Sequence, residues 1–159
     1  MTLPVFAHVT LETGSAPAGS YYKAVLRVGH GCAGSATKAI RMQLPVGFEA
    51  AKPMPKAGWA LALSANSSEV TWTAQSPDNT LPDAHYDEFV LRTKLPANAS
   101  AAAVPAWFKV LQSCDNGVND WSQTPESGTS TKGLKTPAAL LMVEPLAQPS
   151  AAAAGHAHH

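Results

Sequence analysis

Apolar side chains recur at every second position through most of this chain, in short runs that proline and glycine cut off. Tyr22, Ala24, Leu26 and Val28 alternate with Tyr21, Lys23, Val25 and Arg27, and Ile40, Met42 and Leu44 alternate with Arg41 and Gln43 before Pro45. Val70 and Trp72 alternate with Thr71 and Thr73, and Phe89, Leu91 and Leu95 alternate with Glu88, Arg92 and Lys94. Phe108, Val110 and Cys114 share one parity, and residues 140–143 form a last short apolar run. A period of two sends successive side chains to opposite faces, so each run reads as a strand with one buried and one wet face. Turn residues fill the gaps at 29–34, 52–58, 77–82, 96–105 and 115–119, drawing on 13 prolines and 11 glycines. The alanine-rich segment 97–106 has helical propensity, but Pro96 and Pro105 bracket it closely. A crossover loop with at most one helical turn is expected there. About eight or nine short strands broken this often make an all-β fold, an immunoglobulin-like antiparallel β-sandwich, with an eight-stranded barrel as the alternative. Met42 and Met142 are expected at buried strand positions.

The organisation is a single domain over residues 8–146, preceded by 1–7 and followed by 147–159. Eleven Lys and Arg balance eleven Asp and Glu, so no net field recruits nucleic acid or an anionic membrane. No apolar run approaches the roughly 18 residues a spanning helix needs. A phosphate-binding glycine loop, an HExxH helix and a GxSxG elbow are all missing from the sequence. The aromatic residues fall at strand parity and read as core rather than as a base-stacking stripe. Cys32 and Cys114 form no CxxC pair, which argues against a thiolate zinc or redox centre. In an exported chain they are expected to pair, joining the end of one strand to the turn after another; two buried thiols in a cytosolic protein are the alternative.

Residues 3–7, Leu-Pro-Val-Phe-Ala, read as the remnant of an export signal, with small residues where a signal peptidase inspects the chain. Cleavage after Ala7 makes His8 the N-terminus, and a terminal histidine offers a metal both its α-amine and its imidazole. His8, Thr10 and Glu12 share one face of the first strand, about 7 Å apart per two residues. Glu88 lies on the wet face of the strand over 86–95, with His85 at its start, and Trp121 comes after Cys114 by one short turn. Nitrogen and carboxylate ligands without clustered thiolates or methionines suit Cu(II). Each residue also has an ordinary reading: His8 as a solvated terminal side chain, His30 as a turn residue, Glu12 and Glu88 as wet-face charges, Trp121 as packing.

A resemblance gives these residues roles. The run Ala7-His8-Val9-Thr10-Leu11-Glu12 is succeeded by Ala16-Pro17-Ala18-Gly19-Ser20-Tyr21-Tyr22-Lys23-Ala24-Val25 and by Gly29-His30-Gly31-Cys32. Next come Lys52-Pro53-Met54-Pro55-Lys56-Ala57-Gly58-Trp59, then Leu81-Pro82-Asp83-Ala84-His85-Tyr86-Asp87-Glu88-Phe89, and a Cys114-Asp115-Asn116-Gly117 turn leading to Trp121. In this order the segments resemble the bacterial YcnI-like copper-binding domain over residues 7–145. The resemblance implies an exported β-sandwich that holds Cu(II) in a mono-histidine brace. The processed histidine, His8, supplies amine and imidazole, a carboxylate assists, and Trp121 lies beside the metal. Many relatives carry a glutamate where this chain has Ser15, so Glu12 and Glu88 are the carboxylate candidates here.

The function expected is periplasmic or secreted copper binding, for buffering or for delivery to another periplasmic chaperone or a membrane copper transporter, and not catalysis. A free α-amine titrates at about 7.7–8.0, so copper displaces a proton on binding. The tail over 147–159 carries His156, His158 and His159, a composition that suits an accessory metal-collecting segment. Two rivals predict different behaviour. A copper monooxygenase needs a second histidine in the brace, from His30 or His85. A metal-free adhesion or assembly sandwich is indifferent to His8.

Overall fold

The computed structural model describes residues 8–146. The expected leader remnant and the histidines of the tail lie outside the described residues. Within them the backbone forms eleven strands and one 3-10 turn over Pro77–Asn79, with no α-helix. One sheet contains β1 (Thr10–Leu11), β3 (Tyr21–Val28), β8 (Asp87–Lys94) and β5 (Glu49–Pro53), in the order β1-β3-β8-β5. The other runs β2 (Ser15–Pro17), β11 (Ala139–Glu144), β9 (Val104–Cys114), β4 (Thr37–Gln43), β7 (Glu69–Ala74) and β6 (Trp59–Leu63), with β10 (Val118–Trp121) also on β9. The expected sandwich is therefore present. All pairings are antiparallel except that of β2 with β11, which is parallel. The expected first strand is present as β1, only two residues long, and the strands beyond the eight or nine expected include β2 and β10, of three and four residues, too short to show an alternation. Among the described residues no helix is long and apolar enough to cross a membrane.

The period-two residues fill the space between the sheets. Tyr22, Leu26, Ile40, Met42, Val70, Trp72, Phe89, Leu91, Phe108 and Val110 are all buried. Phe89, from the four-stranded sheet, meets Trp59 and Trp72 of the other sheet edge-on, with centroids 5.3 and 5.7 Å apart. That is the arrangement aromatic quadrupoles favour. Trp72 keeps its indole N–H satisfied by donating to the Met54 carbonyl at 3.0 Å. Burying these rings takes apolar surface out of water, which favours folding.

Two local expectations are corrected. Met142 is only half-buried, because Leu141 and Val143 carry the inward parity of β11. The crossover loop also ends earlier than Pro105: β9 begins at Val104 and pairs with β11 through Pro105, opposite Met142. The partner on the other side, β4, joins β9 only from Lys109 onward. At Pro105 the strand is locally an edge, where the missing N–H is tolerated.

Cys32 and Cys114 form the disulfide, with Cα atoms 6.0 Å apart. It links the turn after β3, in one sheet, to the last residue of β9, in the other. Beside it lies Gln112, a polar residue at core parity and fully buried. Its Nε2 donates to the His30 carbonyl at 2.7 Å and to Thr37 Oγ1 at 2.8 Å. Its Oε1 accepts from Trp121 Nε1 at 2.9 Å and from Asn119 Nδ2 at 3.3 Å. Two donors and two acceptor positions are all used, which makes burial of the amide tolerable.

Reduction of the disulfide, which closes a loop of 82 residues, is expected to lower unfolding free energy by about 4–5 kcal/mol in the chain-entropy description, read as an earlier urea midpoint. Gln112→Leu strands the Trp121 indole N–H and the His30 carbonyl. It is expected to cost at least about 2 kcal/mol in the same measurement; an unchanged midpoint would remove Gln112 from its structural role.

Candidate metal centre

His8 is carried to the site by the short arm of residues 9–12. Val9 and Leu11 are buried, and Thr10 and Leu11 pair with Arg27 and Leu26 of β3. The Glu12 N–H donates to the Val25 carbonyl at 2.9 Å. These contacts fix the chain direction, and the parity that turns Val9 and Leu11 inward leaves His8 half-buried at the start of the arm.

Trp121 arrives from the opposite sheet. The turn after β9 closes with Cys114 N–H donating to the Gly117 carbonyl at 3.0 Å, and Gly117 has a φ of 91°. L side chains rarely adopt that conformation, so glycine suits the position. The chain returns as β10 with Trp121 opposite Val110 and Asn119 opposite Gln112. Directly opposed residues share a face, so Trp121 turns inward with Val110 and is 4% exposed. Its indole N–H is held by Gln112.

Two histidine rings meet this indole among the described residues. The His8 ring lies 6.1 Å away, tilted by 55°, and the His30 ring 5.9 Å away, edge-on at 64°. His30 precedes the disulfide by two residues. His8 also opens on a surface cavity of about 380 Å³ walled by residues 131–135, with Lys132 and Lys135 among them. Two lysines in this wall do not recruit a cation by their charge.

The carboxylates stand elsewhere. Glu12 is four residues beyond His8, about 13 Å along at strand rise. Glu88 lies opposite Arg27 in register, and Arg27 in turn donates to Thr10 Oγ1 at 2.9 Å. These side chains belong to the outer side of the four-stranded sheet, and the charge of Glu12 also reaches the buried Tyr22. Burial first, then the Glu12 carboxylate, pushes the Tyr22 phenol up to about 12. The Tyr86 phenol is also raised, by desolvation and then by Glu88, Glu12 and Asp87, against an opposing pull from Arg27. His85 is exposed in the turn over 82–86, its N–H bonded to the Pro82 carbonyl at 3.0 Å. Among the described residues no group of three or more His, Cys, Asp or Glu is arranged to hold a metal ion.

Both cysteines are in the disulfide, so no thiolate is available. The remaining nitrogen donors here are imidazoles, a ligand type that suits zinc, copper, iron and nickel alike. A second cavity, an apolar groove of about 450 Å³ bordered by Leu44, Phe48, Val104 and Trp107, shares no residue with this site. The sequence by itself reads His30 as a turn residue and gives Gln112 no role. The available signal is the unbroken parity from Phe108 through Gln112 to Cys114.

Among curated proteins, none matches the chain. An uncharacterised protein from Nocardia farcinica, whose crystal structure is described as an immunoglobulin-like fold, is similar with a TM-score of 0.70 and 25% identity. The match covers 86% of this chain and 98% of that one. The seventh ScaB type I cohesin of Pseudobacteroides cellulosolvens is similar with a TM-score of 0.51 and 10% identity, over 96% and 97% of the two chains. That likeness is one of fold alone. The model of the family described as Domain of unknown function (DUF1775) matches residues 8–143, which takes in the whole sandwich from His8 into β11, and the chain belongs to that family.

Proposed function

We propose that the chain, once residues 1–7 are removed, is an exported Cu(II)-binding protein of the YcnI-like kind, which buffers copper or passes it to a periplasmic chaperone or a membrane copper transporter. The observation that carries this reading is the packing of the His8 ring against the buried Trp121 indole, 6.1 Å between centroids. In support, the family match begins at His8, and a disulfide suits an oxidising compartment.

In this reading the α-amine and the imidazole of His8 form the chelate. Copper is the cargo, held by nitrogen donors. The indole of Trp121 is a poor ligand, but it covers one side of the site and excludes water from it. The Gln112 bond to its N–H prevents the ring from turning away. Glu12 and Glu88 remain the carboxylate candidates of this chain, and reaching His8 from the outer face of the four-stranded sheet requires rearrangement of the arm. Binding rather than turnover is the role proposed.

Stoichiometric Cu(II) added at neutral pH to protein beginning at His8 should quench tryptophan fluorescence. His8→Ala should weaken binding about a hundredfold or more, or about 2.7 kcal/mol. Protein that retains Met1 should behave like the variant, because its residue 8 nitrogen is an amide. Undiminished affinity in either form sinks the chelate. Acidification should also weaken binding by the processed form, since protons compete for the terminal amine. Isothermal titration at pH 7.5 and pH 5.5 measures this, and equal affinities at the two values count against an amine ligand.

A further inference from the structure

The sheet that contains β9 is incomplete at one corner, far from His8. Strand β4 accompanies β9 only as far as the pair Gln43 and Lys109. Two residues on, Pro45 would face Trp107, and a proline has no N–H to give to a ladder. The β4 chain leaves there. Leu44 donates to the Ser68 carbonyl at 2.8 Å, on the β7 side, and the Phe48 N–H closes a turn onto the Pro45 carbonyl at 3.3 Å. Gly47 makes that turn at a φ of 89°, so close to Pro96 that a Cβ would stand 3.3 Å from the proline's own.

The backbone of β9 is left open over the same stretch. Met142, opposite Pro105, donates its N–H to the Gly14 carbonyl at 2.8 Å, away from β9. Such an antiparallel pair is not hydrogen-bonded, and the two kinds of pair alternate along a strand. Pro105 and Trp107 therefore turn their main-chain polar groups to the side that β4 has left, just as Lys109 turns its own toward Gln43. The Trp107 N–H and carbonyl and the Pro105 carbonyl face a gap. Among the described residues no backbone group outside the strands bonds to them.

That gap is the apolar cavity of about 450 Å³, with Pro45, Val46 and Phe48 on one side and Val104, Pro105 and Trp107 on the other. Val46 and Val104 are exposed, and Phe48 is anchored edge-on against Phe108, centroids 5.4 Å apart. The one charged residue lining the cavity is Lys109, at the end that β4 closes. Lys109 also borders a polar hollow with Arg41, Glu69 and Asp120. There Arg41 and Glu69 pair at 4.0 Å, and Lys109 makes no ion pair among the described residues.

An open strand edge beside apolar pockets suits an extended peptide, main-chain bonds giving affinity and side-chain pockets specificity. A guest chain in this gap runs into β4 at the Lys109 end and has to stop there, and the cation at that end favours a carboxylate. We propose that this corner binds the free C-terminus of an extended, apolar peptide, which adds to β9 with its α-carboxylate at Lys109. The site stands apart from the copper reading and does not depend on it.

Amide hydrogen exchange in the full chain is the first test. The Trp107 amide should exchange fast, while those of Ala106 and Phe108, directed at β11, are protected. A protected Trp107 amide means that a second copy or this chain itself already fills the edge, and overturns the proposal. The second test selects binders from a displayed library of random heptapeptides with free C-termini. Sequences with apolar last residues should be enriched, and the enriched peptide should slow exchange at Trp107. Amidating its C-terminus, or Lys109→Glu, should weaken binding about tenfold or more. Val46→Glu, at a fully exposed position where folding is not at stake, should weaken it by a similar factor. Failure to enrich any sequence, equal binding of the amidated peptide, or binding that survives both substitutions overturns the proposal.

Discussion

The side-chain amide of Gln112 organises the end of the sandwich where the candidate site lies. It sits on β9, the strand that pairs with β4, β10 and β11. From there it bonds to the turn after β3, to Thr37 on β4, and to Asn119 and Trp121 on β10. A primary amide is one of few neutral groups able to satisfy two donors and two acceptors at once. In a low-dielectric interior such a network is strongly specifying, because any other arrangement leaves a buried polar atom unmet. The disulfide at Cys114, two residues along the same strand face, constrains the same turn covalently. Together they set where His30 and Trp121 stand, and the N-terminal arm delivers His8 to them.

Much of this fold is legible in the order of apolar residues. Alternation identifies β3, β4, β7, β8 and the second half of β9, because one buried face imposes a strict period on a strand. It is silent on β2 and β10, which contain too few residues to repeat. It misleads at Pro105, since proline reads as a loop residue wherever the sequence does not reveal that the strand has a single neighbour. It also misplaces Met142: in the run Leu140-Leu141-Met142-Val143 every residue is apolar, and parity cannot be assigned without knowing which face meets the core.

The site is legible in a different way. His8 and Trp121 emerge from resemblance and from the chemistry of a terminal histidine. Their contact depends on two sheets meeting, which no local pattern encodes. His30 is hidden for the same reason. Its significance lies in bonds to Gln112 and in the Gly31 bond to Asp83, residues 82 and 52 positions away. Charge tells even less: equal totals of acid and base conceal that Glu12, Glu88 and Asp87 act together on Tyr86, at the outer side of one sheet.

The division of labour within the site has a physical logic. His30 and Trp121 are fastened by a disulfide, a buried amide and several backbone bonds, and so form a fixed wall beside His8. His8 is attached through a two-residue strand and two buried side chains, Val9 and Leu11. An arm held by so short a strand is the easier half of the site to displace, since withdrawing it breaks few backbone bonds, although it also uncovers the buried Val9 and Leu11. Under the proposed copper-binding role, release through this arm, with the wall beside it undisturbed, would let the next ion meet the same surface.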